Sequence, residues 1–586
     1  VHVNWIEGRS NGVKNQEIAK IFRDIAMILD LKGDNPFRIR AYERAALNIE
    51  SIPEDLEVIL KEKRLTDIPG IGKDLASKIE EIIKTGTLAH YKALKRKIPS
   101  GLLQMIEIPG LGPRTVKVIY EKLKIDTIEK LQRAAQSGRL RQLEGIKEKT
   151  EENILRGIEL IKKGKERTPL YFSLNIANSF IGELRRMKEV KKIEAAGSLR
   201  RRKDTVRDID ILVTSSSPSK VMDRFTKLSY VKEILAKGET KSSVISKEND
   251  MQVDLRVVED ASFGSALMYF TGSKQFNIKF RQLAVKNGLK VNEYGVFSSG
   301  KKSQKRIAGT TEEEIFKLMK MQYIPPELRE DRGEIEAALK DSLPRIVEVK
   351  DIRSDFHVHS HYSDGTSSIE EIAKKALKLG YEHIVVSDHS QSLKVARGLE
   401  KDRVYKKIEE IKNINKKLKN LRVLCGTEVD ILSDGKLDYP DGILKEFDVV
   451  IAAIHSGFKQ SKEQLTKRIT SACKNKYVHV IAHPTGRLWG VRESYEIDLD
   501  QILKVAKDHR VALEINCYPQ RLDLNDLNAL RAKKAGVKLA LGTDAHILEQ
   551  LSAIELGLSV ARRAWLEKKD LLNCMSSKDL LKWLKK

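Results

Sequence analysis

From residue 15 to about 160, apolar residues recur at spacings of three and four, as in Ile18, Ile21, Phe22, Ile25 and Leu29. That is the period of one face of an α-helix, so the segment is expected to be helical almost throughout. Three short turns interrupt it: Ile68-Pro69-Gly70-Ile71-Gly72, Ile108-Pro109-Gly110-Leu111-Gly112 and the weaker Leu143-Glu144-Gly145-Ile146. Each precedes an amphipathic run, so a small helical unit repeats. Around residue 191 the texture changes to short β-like runs at 192–196, 208–214 and 251–258 with helical stretches between them, which predicts an α+β domain. The stretch 312–349 is polar, carries Pro325, Pro326 and Pro344, and reads as the close of one domain and a linker. Beyond residue 354 a regular alternation sets in. Strands are expected at 355–359, 383–387, 422–429, 447–454, 478–482, 511–516 and 538–542, mostly separated by helical patterns, as in a parallel barrel-like α/β domain.

A chain of 586 residues exceeds what one core supports, so three or four domains are expected. The net charge of +25 and pI near 9.5 suit a protein that works on a polyanion. A charged fraction of 33% against a usual value of about 25% also fits a surface adapted to heat, and charge alone does not separate the two. Cys425, Cys473, Cys517 and Cys574 stand far apart, which argues against a zinc ribbon or a disulfide framework and for a reducing cytoplasm. No apolar run approaches the roughly 20 residues that span a bilayer, and no secretion signal opens the chain, so no membrane partner is expected. Residues 1–12 include Ile6-Glu7-Gly8-Arg9, which resembles an engineered protease site, and are set aside as a tag remnant.

A Gly-apolar-Gly turn at a helix N-terminus points backbone N–H groups outward where the helix dipole is positive, which suits one phosphate and reads no sequence. Gly70, Gly72, Gly110 and Gly112 could instead serve tight turns between packed helices. Two strong copies and a weak one on a basic chain favour grip on a DNA backbone. The segments resemble the helix-hairpin-helix motif of repair enzymes. In that family the first unit binds the 5′ phosphate of a gap, and its helix can carry a Schiff-base lysine for AP or 5′-deoxyribose-phosphate lyase chemistry. Lys78 falls at the matching place, although Asp74 stands where another basic residue is expected, and a surface lysine is the plainer reading.

Asp208 and Asp210 lie in Val206-Arg207-Asp208-Ile209-Asp210-Ile211-Leu212-Val213, where residues i and i+2 of a strand face the same way. Asp254 sits in a second run with the same alternation, so three carboxylates share a patch if the two strands are neighbours. Such a cluster repels itself unless divalent cations offset the charge, and two of them suit nucleotidyl transfer. Upstream, Gly197-Ser198-Leu199-Arg200-Arg201-Arg202 offers backbone N–H, hydroxyl and guanidinium groups for a triphosphate. Downstream, Tyr269-Phe270-Thr271-Gly272-Ser273 joins two aromatics to a Gly-Ser turn.

These motifs, in this order over roughly residues 15–335, resemble family X DNA polymerases, the polymerase beta-like group. The resemblance implies that Asp208 and Asp210 hold two Mg²⁺ or Mn²⁺ ions, and that Asp254 holds the catalytic one and draws the primer hydroxyl proton. It implies that Gly197, Ser198, Arg201 and Arg167 meet the incoming triphosphate. Tyr269, Phe270, Gly272 and Ser273 would line the sugar pocket, with Asn277 near the base edge. Lys274 departs from the acidic residue of the vertebrate relative.

Ten of the twelve histidines follow residue 350, and those in the motifs gather where candidate strands end. His357, His359, Asp364, Asp388-His389, Glu428, His455, His483, Asp544 and His546 would share one rim of a parallel barrel. Mixed imidazoles and carboxylates suit Mn²⁺, Zn²⁺ or Fe²⁺ better than Mg²⁺. The pattern resembles the PHP phosphoesterase family, which implies up to three metals held by His357, His359, Asp364, His389, Glu428, His455, His483, Asp544 and His546. It also implies hydrolytic 3′-5′ trimming. His361, His383, His479 and His509 match no ligand position.

The expected layout is a helical 5′-phosphate-binding domain at 13–95, a second helical DNA-binding subdomain at 96–165 and a nucleotidyltransferase palm at 166–262. A nucleotide-selecting subdomain follows at 263–340, a linker at 341–353 and a distorted (β/α)7 PHP barrel at 354–586. The expected partners are gapped or primer-template DNA and dNTPs, with the chain a monomer. Two other readings stay open: a non-catalytic DNA-end-binding scaffold with structural metal sites, and a template-independent nucleotidyltransferase.

Overall fold

The structure is a computed structural model that describes residues 15–51, 56–68, 70–106, 108, 111–143, 145–162, 167–298, 306–489 and 491–585. The expected tag remnant and Gly110 lie outside the described residues. The chain forms two compact units, residues 1–166 and 167–586.

The first unit is helical. Its opening helix, Asn15–Lys32, buries Ile18, Phe22, Ile25 and Leu29, the face that the sequence period marks. Gly72 caps the helix Lys73–Thr85 and Gly112 caps Pro113–Leu123, while the third turn leads into Glu148–Lys162. Ile79, Ile82, Val116, Ile119, Ile154 and Ile158 from these three helices enter one core with Phe22 and Ile25. The repeat therefore works as sequence period predicts: each helix turns one apolar stripe inward.

The second unit opens on a five-stranded sheet in the order Val190–Ala195, Asp208–Ser215, Gln252–Val258, Lys241–Ser246, Val231–Lys237. The central pair, Asp208–Ser215 and Gln252–Val258, is parallel, and every other pairing is antiparallel. Helices Leu170–Arg185 and Pro218–Thr226 cover one face through Phe180 and Phe225, whose rings lie 5.6 Å apart. Helices Phe263–Thr271, Lys274–Lys286 and Glu312–Leu318 follow, with a small antiparallel sheet built from Leu289–Asn292, Gly295–Ser298 and Arg306–Ala308.

Seven parallel strands then pair in chain order: Ser354–Val358, His383–Val386, Arg422–Asp430, Val449–Ala453, Val478–Ile481, Ala512–Asn516 and Leu539–Gly542. Burial on both faces explains their near-continuous apolar runs. The first and last strands close the barrel at their C-terminal ends, where Asp544 N donates to His357 O at 2.8 Å and His359 N to Ala545 O at 2.9 Å. Asp355, buried inside the seam, accepts from Thr543 N at 3.0 Å and from Thr543 Oγ1 at 2.5 Å. This is the nearly closed (β/α)7 architecture expected of the C-terminal third. The segment entering it is pinned: Val347 N donates to Leu566 O at 2.9 Å, and Val347 and Ile352 are buried.

Candidate functional site

In the five-stranded sheet, Asp210 and Asp254 stand side by side in register on the parallel strands, with Asp208 opposite Gln252. Parallel neighbours in register show the same face at the same level, so strand pairing itself assembles the trio. Asp208 is exposed at the strand entrance and Asp210 half-buried between Ile209 and Ile211. Burial, together with the charges of Asp208 and Asp254, pushes the Asp210 carboxyl up to about 7. The three carboxylates thus resist being charged together, a cost that a divalent cation would offset. Gln252 Nε2 donates to Asp254 Oδ1 at 2.9 Å, and Lys241 Nζ lies 4.0 Å from Asp254 Oδ2.

The Gly-Ser turn is the short helix Gly197–Arg200, and its first residue has φ +63°. A Cβ at Gly197 would sit 2.5 Å from Asp210 Oδ2, so only glycine lets the turn lie against the carboxylate. Ser198 is half-buried on the turn. Arg200, which the sequence did not single out, forms a two-point bridge to Glu312 at 2.9 and 2.8 Å. Arg201 is buried, with Nε donating to Glu330 at 2.9 Å and NH1 to Thr271 O at 2.7 Å. Arg167 donates to Thr205 Oγ1 at 2.8 Å and to Thr205 O at 2.6 Å.

Tyr269 and Phe270 end the helix Phe263–Thr271 edge to face, 5.1 Å between centroids. Ser273 caps the next helix by accepting from Phe276 N at 3.1 Å. Asn277 Nδ2 donates to Tyr269 O at 2.7 Å and to Gly272 O at 3.1 Å, holding the turn closed. Gly272 is needed for that closure, because a Cβ there would meet Asn277 Oδ1 at 2.5 Å.

In the barrel all nine sequence-marked ligand residues meet at one rim. Glu428 is the hub: Oε1 lies 2.9 Å from His483 Nε2 and 3.2 Å from His455 Nε2, and Oε2 lies 3.4 Å from His357 Nε2. Asp544 Oδ1 lies 3.2 Å from His359 Nε2, and Asp364 Oδ2 lies 3.3 Å from His546 Nε2. His389 Nδ1 and Glu428 Oε2 approach to 2.8 Å, yet both are buried without a hydrogen bond, as are His359 Nδ1 and Asp364 Oδ1. Orphaned donor atoms that converge without bonding one another fit a shared cation, since buried polar groups otherwise find partners. Among the described residues, three overlapping groups bring their donors within 4.8 Å of one another: His359, Asp364, His389 and His546; His357, His359 and Asp544; and His389, Glu428 and His455. The residues therefore fit metal.

Burial lowers His359 to about 4 and His483 to about 3, helped by His389 and Arg521 respectively, so both imidazoles are neutral as ligation requires. Burial opposes charge on His455 too, but Glu428 and Asp430 override it and raise it to about 10. Two of these rim residues sit on unusual backbone, Asp544 at φ +54° and His483 at φ +27°, strain of a kind that clusters at functional sites.

Sequence reasoning missed the residues that orient these rim side chains. Glu514 Oε1 lies 2.7 Å from His357 Nδ1, and its Oε2 accepts from His483 N at 2.7 Å. Asp430 Oδ1 lies 2.5 Å from His455 Nδ1, and Arg521 Nε lies 3.3 Å from Asp544 Oδ2. Asp388, beside His389, is no part of the cluster. It accepts from Ser360 N at 2.8 Å and pairs with the fully buried Lys407 at 2.7 Å. The signal for Glu514 was present: a carboxylate flanked by Leu513 and Ile515 inside a buried strand. His383 and His479, set aside from the sequence, do have structural partners, Ser577 Oγ at 2.8 Å and Leu584 O at 3.0 Å.

In the helical unit, Gly70 has φ +81° and abuts Arg44, so it is needed by conformation and packing. Gly72 and Gly112 are different. Both have ordinary extended φ near −81°, and a Cβ on either would meet nothing within 4 Å. Neither packing nor backbone demands glycine there, which leaves the helix N-termini open to an approaching group. Lys78 is mostly covered, pairs with Asp74 and lies 5.8 Å from the Tyr42 ring.

Comparison with known proteins agrees with this geometry. Family models match at residues 13–88 (helix-hairpin-helix domain), 102–159 (SAM-like helix-hairpin-helix tandem), 266–330 (DNA polymerase beta thumb) and 355–517 (PHP domain). A probable phosphatase of Thermoanaerobacter sp. (strain X514) is 34% identical over 230 residues, 37% of this chain and 89% of the relative. The DNA polymerase/3′-5′ exonuclease PolX of Bacillus subtilis (strain 168) is 39% identical over 572 residues, 97% of this chain and 99% of the relative. With a carboxylate trio on paired strands and a histidine-rich barrel rim in one chain, this protein belongs to the PolX family of DNA polymerase/3′-5′ exonucleases.

Proposed function

We propose that the chain fills short gaps in DNA at Asp208, Asp210 and Asp254 and shortens 3′ ends at the barrel rim. The observation that carries the first half is the register of Asp210 against Asp254 on parallel neighbours. Asp208 and Asp210 would hold two Mg²⁺ or Mn²⁺ ions with Asp254, which also takes the primer hydroxyl proton at its carboxylate. His357, His359, Asp364, His389, Glu428, His455, His483, Asp544 and His546 would hold up to three Mn²⁺, Zn²⁺ or Fe²⁺ ions. Divalent ions in such sites activate an oxygen nucleophile and neutralise the leaving oxygen.

The chain's own contribution is placement. Gly197 and Ser198 offer the triphosphate a turn set against Asp210, with Arg201 and Arg167 beside it. In this reading Tyr269, Phe270, Gly272 and Ser273 form the sugar-side wall and Asn277 would approach the base edge, its amide also holding the turn closed. In the barrel, Glu514 and Asp430 fix the ring orientation of His357 and His455, the outer support that histidine ligands need. Gly72 and Gly112 with their helix N-termini would bind DNA phosphates, joined by Gly70 and Gly110. Four cysteines without a disulfide among them fit a reducing cytoplasm, and the chain is read as a monomer.

The test is a 5′-labelled primer on gapped template, with and without dNTPs and Mn²⁺. Asp208→Ala should abolish extension and leave 3′ shortening intact, whereas His359→Ala should do the reverse. Extension left unchanged by Asp208→Ala would sink the assignment of polymerase chemistry to the trio. Extension independent of template sequence would favour the template-independent transferase. Lys78 remains the candidate lyase amine: borohydride should trap a 5′-deoxyribose-phosphate strand on the wild type and not on Lys78→Ala.

A further inference from the structure

The turn proposed to grip the triphosphate is not held by the polymerase half alone. Arg563, at the end of the barrel helix Ile554–Arg563, reaches across to residues 201 and 330. Its NH1 donates to Arg201 O at 2.7 Å and to Glu330 Oε1 at 2.9 Å, the same oxygen that accepts from Arg201 Nε at 2.9 Å. Its NH2 donates to Asp526 Oδ2 at 2.8 Å, which also accepts from Arg332 NH1 at 3.0 Å. The result is a ladder of alternating charge, Arg201, Glu330, Arg563, Asp526, Arg332, in which Arg563 is only 2% exposed. A second strap lies three residues beyond Arg201: Arg487 NH1 donates to Asp204 Oδ2 at 2.9 Å, while its Nε and NH2 are held by the carbonyls of Arg521 and Leu522.

Both straps come from the barrel, and both land on the loop that follows the Gly-Ser turn. A guanidinium in a fixed fork, desolvated and paired on each side, adds geometric specificity that a flexible ammonium lacks. Among the described residues the Arg563 ladder includes neither a carboxylate of the trio nor a rim histidine, whereas Arg487 reaches the rim at one remove, through Arg521, whose Nε lies 3.3 Å from Asp544 Oδ2. We propose that Arg563 is a positioning residue for nucleotide binding, with Arg487 as its second anchor: the barrel fixes the Arg201 backbone directly and its guanidinium through Glu330, and so sets the turn that meets the triphosphate of the incoming dNTP. Arg563 itself contacts no substrate. The inference rests on the reading that Arg201 meets the triphosphate.

Steady-state gap filling by the full-length chain tests it, with dNTP KM and kcat measured separately and 3′ shortening followed in parallel. Arg201→Ala is the control for the underlying reading and should raise dNTP KM about tenfold or more. Arg563→Ala should raise dNTP KM about fivefold to tenfold with kcat changed less and 3′ shortening retained, and Arg563→Lys should recover part of the loss. Should Arg563→Ala not fold, Arg563→Lys and Arg487→Ala carry the test, each expected to raise dNTP KM about twofold to fivefold. If Arg201→Ala leaves dNTP KM unchanged, the reading of Arg201 falls, and this inference with it. If Arg201→Ala raises KM and the Arg563 and Arg487 variants do not, the positioning role alone is overturned. Equal loss of gap filling and 3′ shortening in Arg563→Lys would likewise overturn it, marking Arg563 as a general fold contact.

Discussion

Single side chains separate the two chemistries. Gly197 is the sharpest case, because a methyl group there meets Asp210 Oδ2 at 2.5 Å on a backbone of φ +63°. Gly197→Ala should therefore reduce primer extension at least tenfold while 3′ shortening continues at the wild-type rate, as the same labelled-strand assay would record. The carboxylates were legible from the i, i+2 spacing of Asp208 and Asp210 taken with Asp254 on a second run and the Gly-Ser turns on either side, and the rim histidines from their positions at strand ends. The partners that orient them were not. Arg201 meets Glu330 across 129 positions of sequence, and His357 meets Glu514 across 157, distances that no local period encodes.

Elements show the same division. The barrel strands were legible because burial on both faces writes an apolar run, as in Val449–Ala453. Val231–Lys237 was not, since it lies at the sheet edge with mostly exposed positions and alternates too weakly to register. The helical repeats make a prediction at this scale. At Gly72 and Gly112 a side chain has room, and aspartate is a good N-cap, so Gly72→Asp and Gly112→Asp should leave the melting temperature unchanged or raised. A carboxylate at the same N-terminus repels phosphate, so DNA affinity in low salt should fall severalfold for each. Loss of affinity together with loss of helicity by circular dichroism would count against phosphate binding there.

Buried ion pairs run through the whole second unit, some joining polymerase to barrel, as Arg563 to Glu330, and others within the polymerase part, as Glu312 to Arg329 and Arg200, and they shape its response to acid. Burial alone would raise Glu312, but Arg329 and Arg200 outweigh it and hold the carboxyl at about 2, against an ordinary value of 4.5. A depressed folded-state value means the contribution is complete above pH 4.5 and disappears as pH falls toward 2. Wild-type unfolding monitored between pH 6 and 2 should show a loss beginning below pH 4.5, with a smaller slope in Glu312→Gln. The substitution itself should cost about 3–5 kcal/mol at pH 7, because two guanidinium groups lose their partner. Removing divalent ions with a chelator should abolish both activities and lower the melting temperature, since whatever binds only the folded chain stabilises it.

The parallel pairing of Asp210 with Asp254 acts as a gauge. Adjacent strands sit about 4.8 Å apart because backbone hydrogen bonds fix that spacing, and no repacking of side chains alters it. The spacing from which the two carboxylates project is thus set by the main chain rather than by the composition of the core beneath. Lengthening one arm by a single methylene, as in Asp254→Glu, keeps the charge and spoils the measure, so it should be nearly as damaging to extension as removing the charge altogether.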